Sequence, residues 1–218
     1  MRGVGHKKWI DVTVPICHGM ISWPSDPPVE ISRHKCIGRN GQLNNVALLK
    51  MGSHTGTHID APRHFLKDGL TVDAMSPELM VGPVNVIQIK DPVAVRAAEL
   101  KDQGIRPGQR IILKTRNSST QWWHKGFNKD FIYLTLEAAE FLASQRVKLV
   151  GIDYLSVGGY KHEDGGKVHK ALLERGICIV EGLALCDVRP GLYDIMCLPM
   201  KIAQGDGAPA RVLLRKKR

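Results

Sequence analysis

The chain has 218 residues, 43% of them apolar, which is enough for one sizeable core and fits a single domain over residues 1–218. Lys and Arg outnumber Asp and Glu by 31 to 21 for a formal charge of +10, but the cations are spread out without aromatic interleaving. Nucleic acid is therefore not expected as a partner, and the dense run Arg215-Lys216-Lys217-Arg218 reads as a frayed, solvated tail.

Apolar β-branched runs predict strands over Trp9 to Val14, Val46 to Gly52, Val84 to Ile89, Arg110 to Lys114, Lys148 to Ile152, Ile177 to Val180, Tyr193 to Leu198 and Arg211 to Leu214. Helical periodicity covers Val93 to Gln103, closed by Gly104; Leu136 to Gln145, with Thr135 as N-cap; and Val168 to Arg175, closed by Gly176. Many strands and few helices indicate an α/β domain with a mixed sheet. The segment from Asn117 to Phe131 has neither period and reads as a long loop, whose Trp122-Trp123 pair would face a substrate, face a second subunit, or anchor the core.

No apolar stretch approaches the roughly 20 residues that span a bilayer, so no membrane partner is expected. The start MRGVGHKKWIDVTV has no apolar segment of the secretory kind, and a soluble, cytoplasmic protein is expected. Five scattered cysteines, Cys17, Cys36, Cys178, Cys186 and Cys197, have no paired spacing and read as reduced thiols.

The chemistry concentrates in HTGTHIDAPRHF, where His54, His58, Asp60 and His64 fall within eleven positions. Imidazole nitrogen and carboxylate oxygen suit zinc and manganese, and the lack of thiolate argues against a closed structural zinc site. Gly56 allows a sharp bend and Pro62 stiffens the exit, so the ligands sit on a rigid turn rather than on a helix. Glu181 leaves a strand that reads as buried, where a carboxylate is costly unless paired or metal-bound. His6, His18, His34, His124 and His162 lie outside the cluster.

This run resembles the HxGTHxDxPxH signature of the cyclase-like metal hydrolase family, which includes bacterial kynurenine formamidases and isatin hydrolases. The likeness extends from VTVPICHGMISWPSD near the start to LPMKIAQGDGAPARVLLR near the end. It implies the swivelling β/β/α fold, two divalent ions with zinc preferred to manganese, a homo-oligomer (dimer or tetramer) and hydrolysis of a small amide substrate. Carried over residue by residue, it implies one ion on His54, His58 and Asp60, and a second on Asp60, His169 and Glu181. His64 would be the general acid/base and Trp23 would contact substrate; from the residues alone, Trp23 is an ordinary packed aromatic. His18, His124 and His162 match no ligand position, His6 and His34 lie in polar, basic surroundings, and none of the five is assigned to metal. The stretch GIDYLSVGGYKHEDG departs from the TPSVD-like stretch of the formamidases. It therefore leaves open whether a linear formamide or a cyclic amide is cleaved.

Overall fold

The computed structural model describes residues 8–160 and 164–217; His6, His162 and Arg218 lie outside these residues. The elements follow in the order β1 (Ile10–Asp11), β2 (Glu30–Lys35), β3 (Val46–Lys50), β4 (His58–Asp60), β5 (Val81–Gln88), β6 (Ala94–Val95) and α1 (Ala97–Lys101). Next come β7 (Arg110–Lys114), β8 (Tyr133–Leu134), α2 (Leu136–Ser144), β9 (Leu149–Ile152), α3 (Gly165–Leu173), β10 (Cys178–Glu181), β11 (Gly191–Pro199) and β12 (Gly207–Lys216).

The main sheet has the order β1-β12-β11-β5-β7-β9-β10-β4, and β4 also pairs with β12, so the sheet closes on itself. Strands β5, β7, β9 and β10 are parallel neighbours, while β4, β11 and β12 join antiparallel; the sheet is mixed, as expected. Period-two alternation divides the apolar side chains of these strands between two cores. Ile59, Val86, Ile112, Val180 and Val212 share one cluster made of strand and loop residues. Ile111, Leu113, Val150, Ile152 and Ile179 turn the other way and pack under the helices with Leu100, Leu142 and Leu172.

Helix α2 begins as its sequence predicts, with the Thr135 hydroxyl accepting from the Ala138 N–H at 3.2 Å. Helix α3 starts at Gly165, three residues before the apolar pattern does. The periodicity from Val93 to Gln103 yields only the five residues of α1. Asp91 explains the loss: its carboxylate accepts from the N–H groups of Val93 and Ala94 at 2.8 and 3.1 Å, and Ala94–Val95 then pairs as a strand with Tyr133–Leu134. The basic run is not frayed through Lys217 either. β12 continues to Lys216, Arg215 lies 4.6 Å over the Trp9 ring, and Arg215 and Lys217 both meet Asp194 at 3.3 Å. All five cysteines are free thiols, Cys178 and Cys197 buried. Among the described residues no helix is long and apolar enough to cross a membrane.

Candidate active site

Alternation along the short strand β4 turns Ile59 into the sheet's inner core and His58 and Asp60 to the opposite face. Strand β10 lies antiparallel beside it, with Glu181 across from His58 and Ile179 across from Asp60. Three polar side chains are thereby placed together on the face covered by helix α3, which brings His169. The turn before β4 is clamped to the exit of β10. The Thr57 hydroxyl donates to the Gly182 carbonyl at 2.6 Å and accepts from the Val14 N–H at 2.9 Å. Gly56 and Gly182 both have positive φ (63° and 70°), and a Cβ on Gly182 would run into the Gly56 carbonyl.

The cluster is compact. His54 Nδ1 lies 2.8 Å from Asp60 Oδ1, and His58 Nε2 lies 3.5 Å from the same oxygen. Glu181 spans two imidazoles, with Oε2 3.2 Å from His58 Nε2 and Oε1 3.2 Å from His169 Nε2, while His169 Nε2 is 3.8 Å from Asp60 Oδ2. Behind the first contacts, the Val157 N–H donates to Glu181 Oε1 at 2.6 Å. His58 Nδ1 donates to the Gly56 carbonyl at 3.0 Å and His169 Nδ1 to the Gly165 carbonyl at 2.7 Å. Since a carbonyl can only accept, Nδ1 keeps its proton in both rings, and it is Nε2, facing the cluster, that bares a lone pair when the imidazole is neutral. Asp60 is the common member of two groups whose donor atoms converge within 4.8 Å, His58 with Glu181 and His54 with His64.

Burial pushes the Asp60 carboxyl up, but the His54 hydrogen bond and the His54, His58 and His64 charges hold it well below the usual carboxylate range. Glu181 is likewise lowered: burial and the Asp60 charge act upward and are outweighed by hydrogen bonds from His169 and His58. Burial alone would lower His58; its Glu181 hydrogen bond and the Asp60 charge raise it to about 9, and His169 is raised for the same reasons. His64 moves the other way, below its ordinary value, chiefly through burial. The residues fit a metal. Two buried carboxylates face three imidazoles, Asp60 Oδ2 is buried without a hydrogen-bond partner, and the donors are nitrogen and oxygen.

A cavity of about 360 Å³ opens over the cluster, lined by His54, His58, His64, His169 and Glu181 at its floor. Asp60 lies beneath this floor, fully buried. His64 stacks on His54 with ring centroids 3.8 Å apart, and Phe65 stacks on His169 at 4.4 Å. Trp23 forms part of the wall and meets Phe127 and Tyr160 edge-on, each at 5.4 Å. The stretch after the central GID also reaches the cavity through Leu155, Ser156, Gly158, Gly159 and Tyr160. Trp122 and Trp123 do not line it. Both are buried in an aromatic core with Phe131 and Tyr154, so of the three roles open to them they take core anchoring. Sequence reasoning passed over Phe65, although it directly follows His64, and Asp206, whose only signal is its position in QGDGAP.

Residues 10–158 match the profile of the Cyclase family, about two thirds of the chain. The chain belongs to the Cyclase family. A kynurenine formamidase of Bacillus cytotoxicus is 31% identical over 210 residues, covering 95% of this chain and 97% of the relative. A solved potential metal-dependent hydrolase with cyclase activity superposes with a TM-score of 0.84 at 32% identity, covering 97% of this chain and 98% of the other. An isatin hydrolase bound to the product analogue thioisatinate shares the fold, with a TM-score of 0.85 over 98% of this chain and 94% of its own, at 23% identity.

Proposed function

We propose that this family member cleaves a carbon–nitrogen amide bond in a small aryl formamide or cyclic amide, with two divalent ions, zinc in preference to manganese, shared through Asp60. It is a metal-dependent amide hydrolase. His54, His58 and Asp60 would hold one ion, and Asp60, His169 and Glu181 the other. The observation that carries this reading is the Asp60 carboxylate itself, buried, ionised, with imidazoles on both sides and Oδ2 lacking a hydrogen-bond partner. Bound there, divalent cations supply Lewis acidity, which makes water a nucleophile near neutral pH and polarises the amide carbonyl.

The chain's own groups do the rest. His64 faces the cavity beside His54, and its lowered pKa keeps the imidazole neutral, ready to take the proton of the attacking water. The same nitrogen then returns that proton to the departing amine. Trp23 offers the flat apolar wall on which an aryl ring packs, and Phe65 closes the side next to His169. A homo-oligomer in the cytoplasm is part of the proposal.

Purified protein, stripped with chelator and reloaded with zinc or with manganese, is to be assayed on N-formylkynurenine, isatin and simple cyclic amides. The reading expects turnover of at least one of these only after reloading. Flat progress curves on all of them with both metals would sink it.

A further inference from the structure

The three imidazoles assigned to metal differ in how their outward nitrogens are satisfied. Those of His58 and His169 are Nδ1 atoms, each donating to a backbone carbonyl. His54 is turned around: its Nδ1 faces Asp60 at 2.8 Å, so its outward nitrogen is Nε2. That atom is buried and has no hydrogen-bond partner. Asp206 Oδ1 stands 3.6 Å from it, longer than a hydrogen bond but close, and among the described residues no other carboxylate comes within 4.0 Å of it.

Asp206 is held where it is. Its Oδ1 accepts from the Ser53 hydroxyl at 2.8 Å, and its carbonyl accepts from the Ala61 N–H, next to Asp60, at 2.9 Å. The following residue, Gly207, pairs with Asp60 across β4 and β12 and leaves room for the ring; a Cβ there would come within 2.6 Å of His54 Cε1 and 3.0 Å of Nε2. The backbone that presents Asp206 is therefore the same backbone that seats His54. Ligand histidines generally give their second N–H to a carboxylate or carbonyl, which fixes the tautomer and makes the ligating nitrogen more basic.

We propose that Asp206 is a positioning residue for the metal site: it accepts the Nε2 proton of His54, with Ser53 as its clasp, and so keeps the Nδ1 lone pair aimed at the ion beside Asp60. This rests on the metal-dependent reading above. It gives one ion, and not its neighbour, a dependence on the Asp206 side chain.

The test uses full-length metal-free protein, titrated with zinc against a competing chelator, for the parent, Asp206→Ala, Asp206→Asn and Ser53→Ala, alongside thermal melts of each metal-free protein. Asp206→Ala should weaken one zinc equivalent by roughly ten- to a hundred-fold and leave the other within about two-fold. Asp206→Asn, which still offers an acceptor oxygen, should recover part of the loss, and Ser53→Ala should weaken the same equivalent less. If the alanine variant melts lower than the parent, the near-isosteric asparagine decides. Two zinc equivalents bound as in the parent, or both weakened alike, would overturn the role of Asp206. A parent that binds no zinc would overturn the metal-dependent reading, and this inference with it.

Discussion

Replacing Gly182 by Ala tests how the backbone holds the site together. Gly182 sits at φ 70°, one residue after Glu181, with its N–H on the Tyr154 carbonyl at 2.7 Å and its carbonyl receiving the Thr57 hydroxyl. An L-residue in the left-handed region costs about 1–2 kcal/mol. The new Cβ also points at the Gly56 carbonyl, and a backbone shift of that kind adds about 1–3 kcal/mol. The sum is roughly 2–5 kcal/mol, and at about 2–4 °C per kcal/mol for a chain of this size the metal-free protein should melt roughly 4–20 °C lower. Because the Gly56 carbonyl is the acceptor for His58 Nδ1, zinc affinity should fall as well. Circular dichroism melts of the metal-free protein and a chelator competition read both effects. A melting temperature within about 2 °C of the parent, with unchanged zinc affinity, would refute the idea that this contact sets the site.

His64→Ala should retain its metal by elemental analysis while losing about 10²–10⁴-fold in kcat, as expected for a proton-transfer group. In the parent, kcat/KM should decline as pH falls through the lowered His64 pKa, so its acidic limb should lie below about 6.5; a limb centred above pH 7 would contradict the assignment. The metal-free protein should lose stability on the alkaline side: the raised value of His58, about 9, contributes stability that is complete below its unfolded value near 6.5 and is lost as pH rises through 9. Melts between pH 6 and 9.5 check this, and a rise over that interval would count against it. Trp23→Ala should raise KM for an aryl amide with metal content unchanged, and an unaltered KM would remove Trp23 from the substrate wall.

Much of the strand framework is legible because its signals are local. β7 matches its expected bounds, an apolar run between a Pro-Gly turn and a polar loop, and Glu181 stands out as a carboxylate closing a buried strand. What escaped depends on partners far along the chain. β4 reads as a turn because His58 and Asp60 are polar and Gly56 precedes them, and only pairing with β10 and β12 makes it a strand. The closing of the sheet rests on that same non-local contact. In α1 a single carboxylate, Asp91, outcompetes the helical period. For the site, the ligand types and the turn could be read from spacing, and the sharing of Asp60 came with the family resemblance. Beyond the place of Phe65 after His64 and of Asp206 in QGDGAP, the stacking of Phe65 on His169 and the approach of Asp206 to His54 could not be read from spacing, since both join segments brought together only by the fold.

The central claim is that Asp60 is shared between two divalent cations. Elemental analysis of protein purified without added metal, then equilibrated with zinc and freed of excess, tests it most directly. The account predicts about two ions per chain, falling to about one in Glu181→Gln. A parent that retains one ion or none, or a Glu181→Gln variant that binds as many ions as the parent, would contradict it.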